Sequence, residues 1–320
     1  MLRFLCCVQD FLTEQHKADI ALAAERAGLA AFFFETAAEA GEVLRMAEVV
    51  YCSKADVAKE ARSAKWVASS WAGVSPFLQP GVLPEGCLLT KGSGTYGVTI
   101  SEYVVAMTIN LLKRFPEYLE EIREHKWTGG RQIRSVYGSR VTVIGTGDLG
   151  QNIAVRMQAL GAKSVTGINY SGRNPGAMFS RTCRFTGIES ILPETDILVC
   201  CAPETPDTAG MLSRERLAML PETAVLVNVG RGSILDQDAL VEMLSEEQLM
   251  GAALDVMVPE PLPPDHLLWT AKRCIITPHI SGFMTLEHTA NQAVADLCEN
   301  LRRYAAGEPL INLVDRSKGY

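Results

Sequence analysis

Short runs of β-branched and other apolar residues alternate with longer segments of helical period along most of the chain. From residue 141 onward, this rhythm predicts strands at residues 141–144, 165–169, 197–201, 224–229, 252–256 and 275–277. Before it, strands are predicted at residues 4–8, 32–34, 49–52 and 66–69, separated by Ala- and Glu-rich helical segments such as 19–27. Such alternation is typical of parallel sheets with crossover helices, so the two series predict two α/β units.

A long helix is predicted between the two series, at residues 100–124. Apolar residues such as Val104 and Leu111 repeat with helical spacing in its first part, and its end is charged, from Glu120 to Arg123. We expect this helix to act as a hinge and a packing surface. The chain has no Pro/Gly-rich linker, which favours domains packed closely around a cleft.

Composition limits the classes of function. A length of 320 residues with 48% apolar residues favours two domains. The 30 basic and 37 acidic residues give a net charge of -7 without any block of like charge, so the sequence has no electrostatic footprint for nucleic acid. A small-molecule partner is favoured instead.

The cysteines and the apolar runs indicate a compartment. The nine cysteines include the adjacent pairs Cys6-Cys7 and Cys200-Cys201 inside apolar runs, and we interpret all nine as buried free thiols. Free thiols favour a reducing, cytoplasmic location. The apolar start at residues 2–8 is too short for a signal-peptide core, and no run reaches the ~20 residues of a membrane span. We expect neither membrane association nor a bound metal.

A glycine turn follows the predicted strand at 141–144. Gly145, Gly147 and Gly150 form the pattern G-x-G-x-x-G, and a helical pattern continues after them. Such glycines permit a tight turn, let backbone approach a pyrophosphate and let helix and strand pack, while the phosphates meet the helix N-terminus. Three glycines alone often form only a turn, but the strand before and the helix after favour a dinucleotide site that also includes Asp148 and Leu149.

The end of the next predicted strand bears on the choice of cofactor. An acidic residue about 20 residues past the third glycine would hold the ribose 2'-hydroxyl of NAD, but Asn169 occupies this position. Ser171 and Arg173 follow it, and arginine binds phosphate in a bidentate fork. NADP is therefore favoured over NAD. The alternative, that Arg173 is a solvated surface charge, stays open.

Three polar residues follow three successive predicted strands. Arg231 lies in Val-Gly-Arg-Gly, Glu260 lies between two prolines, and His279 follows a proline. The carboxyl ends of parallel strands line one crevice, so we expect these residues to face it. Reduction of a 2-oxo acid needs a cation for the carboxylate and the carbonyl, a proton donor for the alkoxide, and a group that stabilises the protonated donor. Taken singly, such a histidine is more often a turn residue and such a glutamate is more often exposed.

Together, these segments resemble the D-isomer-specific 2-hydroxyacid dehydrogenase family, and most closely its glyoxylate/hydroxypyruvate reductase-like members. The resemblance is carried in order by the glycine turn and by residues 228–236, 254–256, 260–262, 268–269 and 277–282. It covers nearly the whole second series of strands. The first series resembles the family more loosely, through residues 71–74 and Glu102.

The resemblance implies a role for each matching residue. Arg231 binds substrate, Glu260 orients His279, and His279 is the acid/base. Backbone amides around Trp71, Ala72 and Gly73 hold the substrate carboxylate. The segment 91–97 departs from the family pattern and could place Tyr96 at the substrate. The remaining implied cofactor contacts are Cys201, Ala202, Pro203, Val229, Gly230, Asp255, His279, Ser281 and Gly282.

The resemblance also implies an architecture and an assembly. It implies two Rossmann-like, doubly wound parallel-sheet domains with the active site in the cleft between them. The substrate domain is discontinuous, at residues 1–98 plus 287–320, and the cofactor domain spans residues 99–286. The chain is expected to dimerise through its cofactor domains.

The predicted function is reduction of a small 2-oxo acid to the D-2-hydroxy acid with NAD(P)H. An alternative is a dinucleotide-sensing regulatory protein that retains the dehydrogenase fold, because the catalytic residues by themselves do not exclude it. Formate dehydrogenation would be expected to place an amide where Glu260 stands. The identity of the 2-oxo acid stays open, because the pocket depends on loops.

Overall fold

The computed structural model describes residues 3–316, and the chain divides into two units. One unit combines the chain up to Tyr96 with the chain from Phe283 onward, and the other is Gly97–Gly282. The parts of the predicted substrate domain at residues 1–2 and 317–320 lie outside the described residues. Each unit is built on its own parallel sheet, so the predicted α/β class is confirmed.

The strands follow one another along the chain as β1 (Phe4–Val8), β2 (Ala30–Phe34), β3 (Val49–Cys52), β4 (Trp66–Ser69), β5 (Leu88–Thr90), β6 (Arg140–Ile144), β7 (Ser164–Asn169), β8 (Arg181–Arg184), β9 (Ile197–Cys200), β10 (Val225–Asn228), β11 (Gly251–Leu254) and β12 (Cys274–Ile276). The α-helices are α1 (Glu14–Arg26), α2 (Ala37–Met46), α3 (Ala55–Glu60), α4 (Gly97–Leu112), α5 (Phe115–Arg123), α6 (Asp148–Ala159), α7 (Arg214–Leu217), α8 (Gln237–Ser245) and α9 (Glu287–Ala306). The side chains of Thr13, Thr36 and Asp236 accept hydrogen bonds from the first turns of α1, α2 and α8, which fixes where these helices begin.

The first unit has the strand order β2-β1-β3-β4-β5, with every pair parallel. Both faces of this sheet are covered. Leu5 of β1 lies in one apolar cluster with Ile20 of α1 and Leu297 of α9, whereas its neighbour Cys6 lies in another with Leu44 of α2. Because successive side chains of a strand point to opposite faces, burial of both faces explains why these strands are continuous apolar runs.

The second unit has the strand order β12-β11-β10-β9-β6-β7-β8, again with every pair parallel. The chain leaves β6 to build β7 and β8 on one side and then returns to place β9 on the other. In open α/β sheets, ligands bind beyond the carboxyl ends of the strands at such a reversal. The residues that follow β6 and β9 are therefore the first place to look for a site.

The prediction of one long helix at residues 100–124 is wrong, because the segment forms two helices, α4 and α5. The break falls at Arg114, which has a left-handed backbone with φ of 62°. Pro116 lies in the first turn of α5, where its missing N–H is harmless. Inside a continuous helix, its ring would clash with the carbonyl group of Leu112 and remove one hydrogen bond.

Two strands, β5 and β8, were not predicted from the sequence. β5 has only three residues, and β8 carries a charged residue at each end, so neither forms an apolar run.

The interpretation of all nine cysteines as buried thiols needs correction. All nine are free, but Cys183, Cys201, Cys274 and Cys298 are only partly buried. Cys201, for example, directly follows the last residue of β9. Among residues 3–316, no helix combines the length and the apolar character that a membrane span requires.

Candidate active site

The glycine turn connects β6 to α6. Gly145 has a left-handed φ of 102°, and a Cβ atom on Gly150 would lie 1.9 Å from the carbonyl oxygen of Gly145. Both positions therefore require glycine. A Cβ atom on Gly147 would meet no atom within 4 Å, so this residue borders open space directly before Asp148 and Leu149 in the first turn of α6. A helix N-terminus with an open approach over glycine fits a pyrophosphate group.

The ends of β9 and β10 pack tightly against this turn. A Cβ atom on Gly145 would lie 2.9 Å from the nitrogen of Ala202, and one on Gly230 would lie 2.7 Å from the oxygen of Ala202. The Cys201 thiol donates hydrogen bonds to the carbonyl oxygens of Ile144 and Gly145, at 3.3 Å each. The predicted cofactor contacts at 201–203 and at Val229 and Gly230 thus lie at one edge of the sheet, beside the glycine turn.

Asn169 organises the loop after β7. Its amide nitrogen donates to the hydroxyl of Thr146 at 2.8 Å and to the carbonyl oxygen of Arg173 at 2.9 Å. Its amide oxygen accepts from the backbone nitrogen of Gly172 at 2.6 Å and from the hydroxyl of Ser171 at 3.2 Å. Asn169 therefore joins this loop to the glycine turn, and it places no negative charge at the end of β7.

Two exposed arginines flank this loop. Arg173 lies within it, and Arg184 of β8 is paired in register with Asn169. A Cβ atom on Gly172 would lie 2.9 Å from the Cγ atom of Arg184, so the stem of this side chain runs along the loop. Within the described residues, neither guanidinium group makes a hydrogen bond or an ion pair. Sequence reasoning missed Arg184, because only the pairing of β8 with β7 brings it here.

The turn after β10 carries Arg231. The buried side chain of Asn228 donates to the carbonyl oxygen of Arg231 and accepts from the nitrogen of Gly230, both at 3.0 Å. Burial lowers the pKa of Arg231, and the negative charges of Glu260 and Glu204 oppose this effect. The group stays cationic, because a guanidinium group does not lose its proton in proteins. The structure thus holds a positive charge at the end of β10, close enough to Glu260 for the two to interact.

Glu260 and His279 form a hydrogen-bonded pair. The Nδ1 atom of His279 lies 2.9 Å from Oε2 of Glu260, and Oε1 of the same carboxylate accepts from the backbone nitrogen of Met257 at 2.9 Å. A carboxylate can only accept, so Nδ1 is the protonated nitrogen. The side chains are 45% and 37% exposed, and no described residue occupies Nε2 of His279. Nε2 is therefore available to exchange a proton with a bound molecule.

Asp255 supports the segment that carries His279. Its carboxylate is fully buried and accepts from the Thr277 hydroxyl at 2.6 Å, the nitrogen of Ile280 at 2.8 Å and the nitrogen of Ser281 at 3.0 Å. The hydroxyl of Tyr103 in α4 lies 2.6 Å from that of Thr277. Contacts of Asp255, Ser281 and Gly282 with a cofactor stay predictions. The structure shows in addition that Asp255 holds the segment around His279, which the sequence did not indicate.

Gln237 supports the segment that carries Glu260. Its amide oxygen accepts from the backbone nitrogen of Val258 at 2.8 Å, and its amide nitrogen donates to the oxygen of the same residue at 2.6 Å. These bonds fix the backbone just before Glu260. Sequence reasoning missed Gln237, Thr277 and Tyr103, because each of them acts on a residue far away in the chain.

In the first unit, the loop after β4 contains Trp71, Ala72 and Gly73. The nitrogen of Trp71 donates to the hydroxyl of Ser69 at 3.1 Å, so this amide is already engaged. Amide binding of a carboxylate here therefore rests on Ala72 and Gly73. Tyr96 is 7% exposed, and its hydroxyl donates to the carbonyl oxygen of Ser70 at 3.0 Å. Tyr96 thus holds the loop in this structure, and its predicted contact with substrate is untested.

Comparison with known proteins identifies the family of the chain. Residues 105–281 match the model of the D-isomer specific 2-hydroxyacid dehydrogenase, NAD binding domain, family. The chain is 33% identical over 220 residues to the glyoxylate reductase/hydroxypyruvate reductase of Homo sapiens. That alignment covers 66% of this chain and 65% of the human protein, which is less than two thirds of its length.

Two solved structures resemble the fold over nearly the whole chain. A D-isomer specific 2-hydroxyacid dehydrogenase family protein from Aeromonas salmonicida subsp. salmonicida A449 has a TM-score of 0.85 at 27% identity, covering 99% of this chain and 100% of that one. An NADPH-dependent glyoxylate/hydroxypyruvate reductase from Sinorhizobium meliloti, in complex with NADP and sulfate, has a TM-score of 0.83 at 27% identity, with the same coverage. The chain belongs to the D-isomer specific 2-hydroxyacid dehydrogenase family.

Proposed function

We propose that the chain reduces a small 2-oxo acid to the D-2-hydroxy acid, with NAD(P)H as the reductant. The observation that carries the proposal is the pair of Glu260 and His279, which follows two strands of the sheet that also bears the glycine turn. The pair leaves Nε2 of the imidazole available for proton transfer, and Arg231 adds a cation at the end of β10. This set supplies the cation, the acid and the supporting carboxylate that the reaction needs.

Each residue has a distinct task in the proposed reaction. When bound, the reduced nicotinamide supplies the hydride that is added to the 2-carbon of the substrate. Arg231 binds the substrate carboxylate and carbonyl oxygen through its forked N–H groups. Protonated His279 donates the Nε2 proton to the oxygen as it becomes an alkoxide. Glu260 fixes the imidazole through Nδ1 and stabilises its protonated form, and Asp255 holds the backbone on which the imidazole is mounted.

The proposed substrate is a short 2-oxo acid such as glyoxylate or hydroxypyruvate. The names of the human and Sinorhizobium meliloti proteins support this choice. We also propose that the backbone amides of Ala72 and Gly73, in a loop of the first unit that Ser69 and Tyr96 hold, bind a carboxylate of the substrate.

The proposed cofactor is NADP rather than NAD. The end of β7 carries the neutral Asn169, and the exposed guanidinium groups of Arg173 and Arg184 flank the loop after it. A 2'-phosphate is a dianion that two guanidinium groups would bind with charge-assisted hydrogen bonds. The NADP bound to the Sinorhizobium meliloti relative supports the same choice.

Steady-state oxidation of NADPH and of NADH, with glyoxylate, hydroxypyruvate, phenylpyruvate and a branched 2-oxo acid, tests the reaction and the cofactor together. We expect turnover with a short 2-oxo acid and a lower KM for NADPH. Replacing Arg173 or Arg184 by Ala should raise the KM for NADPH by about 10- to 150-fold, since a hydrogen bond to a charged group contributes ~1.5–3 kcal/mol. The KM for NADH should stay unchanged.

The matched control is Arg181→Ala. Arg181 lies on β8 like Arg184, but its guanidinium group bonds to Thr166 and Glu194. Equal KM values for NADPH and NADH in the wild type would contradict the assignment of NADP as the cofactor but not the proposed reaction. Binding of dinucleotide without turnover of any 2-oxo acid would contradict the enzyme and favour the dinucleotide-sensing alternative.

We also propose that the chain forms a homodimer through its second unit. Large apolar side chains of α5 and the segment after it are exposed: Phe115, Leu119, Ile122 and Trp127 are 46%, 49%, 62% and 104% exposed. A second copy of the same face would remove this apolar surface from water. A cytoplasmic location stays a prediction, and the free state of all nine cysteines is consistent with it.

Sedimentation equilibrium checks the assembly. The wild-type chain is expected to sediment with the mass of a dimer, and Ile122→Glu with the mass of a monomer, because a charge would be buried at the interface without a partner. The control is Leu22→Glu, an exposed apolar position of α1 in the other unit. A monomeric wild-type protein, or a dimer that is lost equally in both variants, would contradict this interface.

A further inference from the structure

The first unit contains a small cavity behind the loop that follows β4. Side chains from β3, from that loop and from α9 line it, among them Tyr51, Ser70, Thr95, Lys91, Asp296 and Asn300. It offers about 20 Å³ to the centre of a water-sized molecule. A single water needs roughly 10–15 Å³ on this measure, so the space fits one water and excludes a substrate or a nucleotide.

Three of the residues that line this cavity, Tyr51, Ser70 and Thr95, carry buried hydroxyl groups that have no hydrogen-bond partner among residues 3–316. Their residues are 2%, 1% and 1% exposed, so bulk water does not reach them. A buried hydroxyl without a partner carries a desolvation penalty, and most buried polar groups have at least one partner, from protein or from ordered water. Three such groups around one small space indicate a common partner.

The charges around the cavity favour a neutral partner. Lys91 and Asp296 both line it, so an ion of either sign would face a like charge as well as an opposite one. Water can donate two hydrogen bonds and accept two, and internal waters typically make about three. The three hydroxyl groups match that number.

We propose that the hydroxyl groups of Tyr51, Ser70 and Thr95 bind one ordered internal water, which fixes the position of the loop at residues 70–73. Ser70 begins this loop, and its carbonyl oxygen already accepts from the hydroxyl of Tyr96 at 3.0 Å. Gly92 closes the other side, since a Cβ atom there would lie 2.2 Å from the same carbonyl oxygen. The water completes the support of Ser70 on its side-chain end. A further step is that Tyr51, Ser70 and Thr95, by fixing this loop, position the substrate carboxylate. That step rests on the proposed function, in which the amides of Ala72 and Gly73 bind the carboxylate.

The near-isosteric variants Thr95→Val and Tyr51→Phe test the water site. Each removes one hydroxyl group from the water and should lower the Tm by about 2–4 °C. The matched control is Thr108→Val in the second unit, because the Thr108 hydroxyl is also buried and unpartnered but does not line the cavity. Removing a hydroxyl group that has no partner should leave the Tm unchanged or raise it.

A crystal structure of the wild-type protein supplies the direct observation. Density for one water within hydrogen-bond distance of all three hydroxyl groups supports the proposal, and its loss in Thr95→Val supports it further. A wild-type cavity without density, or Tm values of Thr95→Val and Tyr51→Phe that rise like that of the control, overturns it.

The positioning role has its own readout. If the water orients the loop, Thr95→Val raises the KM for the 2-oxo acid on the order of tenfold and leaves the KM for NADPH unchanged. Unchanged KM values alongside a lowered Tm would overturn the positioning role and leave only a structural water. If the wild-type chain reduces no 2-oxo acid, the proposed function fails, while density and Tm still decide the water site.

Discussion

Replacing His279 by Gln is expected to lower kcat by about 10²–10⁴-fold, which is the usual contribution of a positioned general acid. Gln can still donate a hydrogen bond, but it cannot release a proton to an alkoxide. The Gln side chain also carries no positive charge for Glu260 to stabilise. The affinity for NADPH, measured by fluorescence titration, should change little, because the glycine turn and the loop after β7 are untouched.

The matched control is His288→Gln, at an exposed position in the first turn of α9. This variant should keep wild-type kcat. Retention of most activity by His279→Gln would remove the acid/base assignment. Parallel loss of turnover and of NADPH affinity would instead indicate that the backbone around His279, which Asp255 supports, had been disturbed.

Arg231→Lys is expected to lower kcat/KM with the 2-oxo acid by at least about 10²-fold, although the charge is conserved. A lysine ammonium is a compact point charge, whereas the guanidinium fork matches a carboxylate with two parallel hydrogen bonds. The turn itself should persist, because Asn228 still holds the backbone of Gly230 and Arg231 when the bond from the guanidinium group to the carbonyl oxygen of Gly230, at 2.6 Å, is lost. The Tm should therefore stay close to that of the wild type.

The comparison with Arg231→Gln separates charge from geometry. Arg214→Lys serves as the surface control, since Arg214 forms an ion pair with the exposed Glu242. If Lys restored nearly full kcat/KM while Gln did not, charge alone would be sufficient and the bidentate account would be wrong. If both variants lost stability as well as activity, Arg231 would be a structural residue of the turn.

The two carboxylates near His279 have different tasks. Glu260 contacts the imidazole directly, with Oε2 2.9 Å from Nδ1 of His279. Asp255 does not touch the ring; it binds Thr277, Ile280 and Ser281 on either side of it. His279 itself has a left-handed backbone with φ of 54°, a conformation that costs free energy for a residue with a side chain. The buried Asp255 network offsets that cost and keeps the imidazole at the end of β12.

The sequence alone determined the features that depend on near neighbours. The period of apolar residues specified most strands, because buried parallel strands are apolar on both faces. The glycine turn was readable because Gly145 and Gly150 meet conformational and steric demands within a few residues. Arg231, Glu260 and His279 were readable as a group because each lies three to six residues past the end of a strand, and parallel strands end at one edge of a sheet.

Tertiary structure decided what depends on distant neighbours. Arg184 reaches the loop after β7 only because β8 pairs with β7, and Gln237 meets Val258 only because the first turn of α8 lies against the segment that follows β11. The engagement of Tyr96 with Ser70, and the meeting of three unpartnered hydroxyl groups at one cavity, likewise join segments that no local pattern relates. Periodicity and turn chemistry report the conformation of a few consecutive residues, whereas hydrogen bonds between separate segments are set by strand order and packing, which form only when the whole chain folds.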